Sequence, residues 1–126
     1  MRALSVPLVT IAISGCSMMG VIPAKEAGPY PENYKERVAG YIDQAYKDPG
    51  SLKSVSISQP IPYRIFDDIG YIVCFKANAK NSYGGYTGVK TQQIMLEPDN
   101  TWNTGGTNGC EQANYQPWPE MEQRDS

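Results

Sequence analysis

The amino-acid sequence contains no histidine, and this absence removes the most frequent general base and the most frequent metal ligand in proteins. A Ser-His-Asp site, a Cys-His site and a histidine-based zinc site are therefore excluded. Three cysteines are present, and their other predicted uses leave too few for a thiolate metal site. We expect no catalytic residues, no metal ligands and no cofactor, and hence a protein that is not an enzyme.

Basic charge is also scarce. The chain has 11 Lys and Arg against 13 Asp and Glu, which gives a net charge of −2. A weakly acidic chain lacks the electrostatic footprint of a nucleic-acid-binding protein, so no nucleic-acid partner is expected. The only adjacent carboxylate pair is Asp67 and Asp68. Neighbouring side chains on an extended segment diverge, so this pair does not predict the converging acids of a hydrolase.

The beginning of the chain has the order of a secretory signal peptide. Arg2 precedes a short apolar run over residues 6–13, and the small residues Ser14 and Gly15 follow. The run is too short to span a bilayer, which needs about 20 apolar residues. The sequence therefore predicts a signal peptide over residues 1–15.

The tetrapeptide Ile13-Ser14-Gly15-Cys16 resembles the lipobox of bacterial lipoproteins. The resemblance implies cleavage before Cys16, a diacylglyceryl thioether on its sulfur and acylation of the new amino terminus, which together anchor the protein to the membrane. Ser17 follows the cysteine, where Asp would favour retention in the inner membrane. The same resemblance therefore implies an outer-membrane lipoprotein with its domain facing the periplasm.

A flexible tether and one helix are predicted next. Residues 16–29 contain Gly, Pro and Ala without a period, which is typical of a flexible spacer. Apolar residues then recur every three or four positions over residues 31–47, with Pro31 at the first helical turn, and this predicts an amphipathic helix. Gly40 costs helix stability, so we expect it to allow close packing. Residues 48–51 turn the chain.

Strands follow the helix. Pro60 and Pro62 interrupt the apolar pattern of residues 52–57, which predicts an edge strand there, with residues 61–66 as its extension. Residues 67–70 are predicted as a turn. The clearest strand is 71–80, because alternate residues are apolar, and residues 89–96 are its expected hairpin partner. Trp102 begins one more short strand, and residues 116–126 form a poorly ordered tail. These elements predict one α+β domain over residues 30–115, with an N-terminal amphipathic helix packed on a small antiparallel sheet.

Cys74 and Cys110 remain once Cys16 is used for lipid. An even pair in an exported protein predicts a disulfide. The strand alternation places Cys74 opposite Tyr71, Val73 and Phe75. We therefore expect the bridge to fix the glycine-rich segment 103–110 across the sheet face that the helix does not cover.

Residues 78–88, with the sequence Asn-Ala-Lys-Asn-Ser-Tyr-Gly-Gly-Tyr-Thr-Gly, form the most distinctive motif. Together with Asp48-Pro49-Gly50-Ser51 and Cys74, this motif resembles a group of small proteobacterial envelope proteins. The resemblance covers about half of the chain, over residues 34–96. It implies a fold and a location in the cell envelope, and it names no activity.

The glycines of this motif indicate a hairpin connection. They do not decide whether its two tyrosines are packed or exposed, so two interpretations remain open. In the structural one, Tyr83 and Tyr86 fold back on the sheet, while Asn78 and Asn81 bind backbone groups. In the functional one, the two rings form an exposed surface, with Asn78, Lys80 and Asn81 as hydrogen-bonding neighbours. Rigid aromatic rings would suit an envelope protein or a cell-wall glycan.

The leading functional hypothesis is a lipid-anchored, non-catalytic binding or structural module for another envelope component. The alternative is a protein inhibitor that inserts the loop into an envelope-targeting enzyme, in the manner of lysozyme inhibitors. This alternative is an analogy with other small envelope lipoproteins.

Overall fold

Residues 18–124 are described by a computed structural model of the chain. The fold is α+β: one main helix accompanies a curled antiparallel sheet of seven strands. In chain order the elements are β1 (Met19–Val21), α1 (Ala24–Ala27), α2 (Tyr34–Ala45), β2 (Lys53–Ser58), β3 (Ile61–Ile65), β4 (Asp68–Lys80), β5 (Tyr86–Glu97), β6 (Asn100–Asn103) and β7 (Tyr115–Pro117). No helix in this part of the chain is long and apolar enough to cross a membrane.

The long strand β4 is the axis of the sheet. One of its edges pairs with β5 from Tyr71 to Lys80. The other edge pairs with β3 along its first half and with β2 along its second half. Beyond these strands, β1 flanks β3, β7 flanks β2, and β6 pairs with the last four residues of β5. The predicted pairing of the Cys74 strand with residues 89–96 is confirmed, although β4 and β5 are both longer than expected.

Three predictions about the strands around β4 are wrong. Strand β2 lies between β4 and β7, so it is not an edge strand. It ends at Ser58, before Pro60, and residues 61–65 form a separate strand that pairs with β4. The turn predicted at 67–70 is shorter, because Ile65 already pairs with Asp68. The short strand at Trp102 is confirmed as β6.

The main helix is shorter than predicted. It begins at Tyr34, because Pro31 lies in the preceding turn, where its carbonyl accepts a hydrogen bond from Tyr34 N at 3.0 Å. It ends at Ala45, since Tyr46 is already extended ahead of the Pro49 turn. The prediction that Gly40 allows close packing is wrong, because nothing lies within 4 Å of the position that a β-carbon would occupy there.

Apolar residues on opposite faces of the sheet form two separate clusters. The first contains Val38 and Ile42 of α2 together with Val73 and Phe75 of β4. The second contains Ile72 and Cys74, which alternate with those strand residues. The predicted placement of Cys74 on the face opposite Val73 and Phe75 is therefore confirmed.

The expected flexible tether over residues 16–29 is wrong for residues 19–28. Strand β1 pairs with β3 in the register Met19↔Ile65 to Val21↔Tyr63. Further along, the Tyr71 hydroxyl donates a hydrogen bond to Gly28 O at 2.8 Å. Local composition missed these contacts because they join residues that are about 40 positions apart.

The expected poorly ordered tail is wrong for residues 116–123. Trp118 and Met121 are each only 4% exposed and complete the first apolar cluster. Backbone bonds join this segment to β2, from Trp118 N to Val55 O at 2.9 Å and from Gln123 N to Leu52 O at 3.0 Å. The sequence of the segment is polar and rich in proline, but two buried apolar side chains and these backbone bonds attach it to the core.

Candidate functional site

The predicted disulfide is confirmed. Cys74 of β4 and Cys110 are bonded, with their α-carbons 5.8 Å apart and a sequence separation of 36. Cys74 is fully buried and Cys110 is 7% exposed. The bond therefore fixes a short helical turn, residues 108–110, on the sheet face opposite α2, as expected.

The side chain of Gln93 on β5 also holds this segment in place, through hydrogen bonds that the sequence did not predict. Its side chain is buried, at 1% exposure. The amide oxygen accepts a hydrogen bond from Gly109 N at 2.8 Å, and the amide nitrogen donates to Thr104 Oγ1 at 3.0 Å. A glutamine in a mostly apolar strand was the available signal, because buried polar groups in proteins are generally hydrogen-bonded.

The hairpin of β4 and β5 connects through residues 81–85, and Asn81 organises this turn. The Asn81 amide oxygen accepts hydrogen bonds from Tyr83 N at 2.9 Å and from Gly85 N at 3.1 Å. Its own backbone N–H donates to Gly85 O at 2.8 Å, and its backbone oxygen accepts from Gly84 N at 3.0 Å. Gly84 has a φ of 83°, which favours glycine. The side chain and the backbone of Asn81 therefore both stabilise the turn.

The structural interpretation holds for Asn81, as just described, and also for Tyr86 and Asn78. The Tyr86 hydroxyl donates a hydrogen bond to Ser51 O at 2.7 Å, and the Lys53 ammonium lies 4.2 Å from the centre of its ring. Asn78 Oδ1 accepts from Gly88 N at 2.9 Å. Lys80 lies 3.8 Å from the Asp48 carboxylate and 5.6 Å from the Tyr86 ring. Tyr86 and Lys80 thus connect the hairpin to residues 48–53, whereas Asn78 stabilises the hairpin internally.

Tyr83, by contrast, does not fold back on the sheet. Its side chain is 96% exposed at the tip of the hairpin, the highest value among the exposed large apolar residues of the described chain. The turn that the hydrogen bonds of Asn81 define therefore presents one aromatic ring to solvent. The structure separates the two tyrosines that the sequence could not distinguish.

The hairpin also differs in charge from the rest of the molecule. From residue 69 to residue 96 the chain contains Lys76, Lys80 and Lys90 and no Asp or Glu, whereas the whole chain has a net charge of −2. Within residues 18–124, neither Lys76 nor Lys90 has a carboxylate within ion-pair distance. The charged side chains of residues 69–96 are therefore all positive on a chain that is acidic overall, and one of them, Lys80, pairs with Asp48.

A cleft of about 260 Å³ lies where the hairpin leaves the helix, and Tyr46, Lys80, Asn81 and Lys90 are among its lining residues. Burial, with a smaller contribution from Tyr41, raises the pKa of Tyr46 to about 12. Ala77 and Ala79 line it as well, so the cleft combines apolar, hydrogen-bonding and positively charged groups. Over the described residues, no group of three or more His, Cys, Asp or Glu side chains could hold a metal ion.

The predicted lipidation site, Cys16, lies outside the described residues, so its role stays a prediction. Comparison with known proteins gives no match, since no protein family, no curated protein and no solved structure is significantly similar to the chain.

Proposed function

We propose that this protein is a lipid-anchored, non-catalytic binding module of the bacterial cell envelope, and that the tip of the β4–β5 hairpin is its contact surface. The observation that carries the proposal is Tyr83, which is 96% exposed on a turn that Asn81 stabilises through hydrogen bonds to Tyr83 N and Gly85 N. An exposed aromatic side chain on a pre-organised turn contributes contact area at a small cost in conformational entropy. The partner is another envelope protein or a cell-wall glycan.

The anchor in this proposal is Cys16, which carries lipid and holds the domain at the outer membrane, facing the periplasm. Its support is the resemblance of Ile13-Ser14-Gly15-Cys16 to a lipobox. Mass spectrometry of the mature amino terminus tests it, and we expect a peptide that begins at an acylated cysteine. A peptide with an intact Gly15–Cys16 bond and no lipid would disprove the anchor and leave the binding proposal standing.

We also propose that α2 is, among residues 18–124, the only amphipathic helix that supports the sheet. The support is that α1 has four residues and buries none, whereas α2 contributes Val38 and Ile42 to the core. In this arrangement α2 covers one face of the sheet, and the cleft at Tyr46 lies between the end of α2 and the hairpin.

A matched pair of variants tests the contact surface. Tyr83→Ala removes the exposed ring at the hairpin tip. Phe66→Ala removes an exposed ring at the β3–β4 turn, at the opposite end of β4, where the side chain is 56% exposed. Both changes should shift the free energy of unfolding by less than about 0.5 kcal/mol, as is usual for surface positions. Only Tyr83→Ala should reduce the amount of partner recovered after cross-linking in intact cells. Equal recovery from the two variants would reject the tip as the contact surface.

A second candidate function is inhibition of an envelope-targeting enzyme such as a lysozyme. The observation that favours it is a protruding tip on a segment with three lysines and no acid, because a positively charged projection complements a cleft lined by carboxylates. Cell-wall hydrolysis by lysozyme should then slow in the presence of the purified protein and recover with Tyr83→Ala. Unchanged hydrolysis with the wild-type protein would exclude this function.

A further inference from the structure

The outer edge of β5 is unpaired over most of its length. Strand β5 has 12 residues, and β6 pairs only with those from Ile94 to Glu97. Among residues 18–124, no strand therefore neighbours residues 86–92 on the side away from β4. The other edge strands of the described chain, β1, β6 and β7, have three or four residues each. The longest open strand edge thus belongs to the hairpin.

The main-chain groups on this edge belong to Val89 and Thr91. Gln93 O points away from β4, where it accepts a hydrogen bond from Thr104 N at 3.0 Å. The register between β4 and β5 is unbroken from Asn78↔Val89 to Tyr71↔Leu96. Because hydrogen-bonding direction alternates along a strand, the N–H and C=O groups of Val89 and Thr91 face solvent.

The edge is open because Asn103 ends β6. The Asn103 amide nitrogen donates to Tyr41 Oη at 2.9 Å and to Gln92 Oε1 at 2.6 Å, and its amide oxygen accepts from Gly105 N at 2.7 Å. These bonds turn the chain away from β5 at Gly105, which has a φ of 78°. The position beside residues 86–92, which a longer β6 would occupy, is therefore open in the described part of the chain.

The charge beside the open edge of β5 favours one kind of partner strand over another. Lys90 is exposed, lies between the two open residues and has no carboxylate within 4.0 Å in residues 18–124. Two copies of the chain paired about this position would place their Lys90 side chains opposite each other, and like charges in that arrangement are destabilising. Lys90 also discourages non-specific pairing of an exposed edge. An acidic strand, by contrast, gains a favourable cross-strand pair with Lys90.

We infer that the open edge of β5 binds an extended, acidic peptide segment of a partner protein, which adds to the sheet as an eighth strand beside Val89 and Thr91. Main-chain hydrogen bonds supply affinity in this mode of recognition, and the side chains beside the edge supply specificity. The inference deepens the proposed function and rests on it, because it specifies an acidic protein segment as the partner. Tyr83, at the end of the same hairpin, then contacts the partner beyond the added strand.

The probe is a synthetic peptide with the sequence acetyl-Thr-Glu-Val-Glu-Thr-Glu-Thr-amide, and the matched control has Lys in place of each Glu. We expect saturable binding of the acidic peptide at millimolar concentration, weakened by added salt. Hydrogen exchange of the Val89 and Thr91 amides should slow at least tenfold, while the amides of Lys90 and Gln92, which face β4, should not change. Absent binding, equal binding of both peptides, or slowing elsewhere on the molecule would each overturn the inference.

A pair of variants at one position separates the edge from the tip. Thr91→Pro removes a solvent-facing N–H, and proline is tolerated on an edge strand in that orientation. Thr91→Val keeps both the N–H and the shape of the side chain. We expect the acidic peptide to bind to Thr91→Val as to the wild type and to lose at least tenfold in affinity with Thr91→Pro. Equal affinities for the two variants would overturn the inference.

Two further measurements keep the outcomes distinct. If Thr91→Pro fails to fold, the surface variant Lys90→Glu replaces it, and its preference should switch to the lysine peptide. An unchanged preference would overturn the inference. Recovery of the cellular partner with Tyr83→Ala reports on the tip alone. A partner that is lost with Tyr83→Ala and kept with Thr91→Pro would therefore support the proposed function and reject the strand addition.

Discussion

Replacement of Cys74 and Cys110 by alanine removes the bond that fixes residues 108–110 to the sheet. The bond closes a loop of 36 residues, for which the chain-entropy relation gives about 4 kcal/mol of stabilisation. A domain of this size has a total free energy of unfolding of about 5–15 kcal/mol. The double variant should therefore lose a large fraction of its stability and stay folded only if the rest of the core is well packed.

Urea unfolding of the oxidised wild type, the reduced wild type and the double-alanine variant measures this loss. With a urea dependence of about 1.5–2 kcal/mol per M, the midpoint should fall by about 2–3 M on reduction and by a similar amount in the variant. Reductant should not shift the midpoint of the variant, which serves as the control. A midpoint change below about 0.5 M, or two alkylated thiols in protein isolated without reductant, would refute the reasoning.

Three further perturbations test other parts of the fold. Gly40→Ala should stabilise the protein by about 0.5–1 kcal/mol, because alanine favours a helix interior and its methyl group would have no atom within 4 Å. A lowered melting temperature would contradict this prediction. Gln93→Leu should lower the free energy of unfolding in urea by about 1–3 kcal/mol, since it leaves the part-buried Gly109 N–H without its acceptor. An unchanged midpoint would show that water replaces the bond. Burial raises the pKa of Tyr46 to about 12 in the folded protein, so the stability that it contributes is complete below a pH of about 10 and is lost as the pH rises through about 12. Tyr46→Phe should flatten the fall in stability over that pH window, and identical pH profiles would reject the assignment.

The sequence predicted the parts of the fold that depend on local pattern. The period of two in residues 71–80 gave β4 and its two faces, and the count of cysteines gave the bond between Cys74 and Cys110. It did not predict β1 or the ordered residues around Trp118, because short strands and single anchoring side chains are stabilised by contacts with distant residues. The place of β2 inside the sheet was missed for the same reason, since β7 covers it from the far end of the chain.

The candidate site was predictable in its residues and not in their roles. Tyr83 and Tyr86 lie three positions apart in one glycine-rich turn, and nothing local distinguishes them. The difference arises because Tyr86 lies opposite Lys80 in the ladder and its hydroxyl reaches Ser51, 35 positions earlier in the chain. The open edge at Thr91 was likewise invisible, because it depends on where Asn103 turns the chain.

A photo-activated cross-linking side chain placed at position 83 tests the central claim most directly, because it reports contact at the hairpin tip in intact cells. The control carries the same group at position 66, which is also exposed and lies at the other end of β4. The account predicts a discrete envelope adduct from position 83 and none from position 66. Adducts of equal yield at the two positions, or no adduct from position 83, would contradict the claim that the tip is the binding surface.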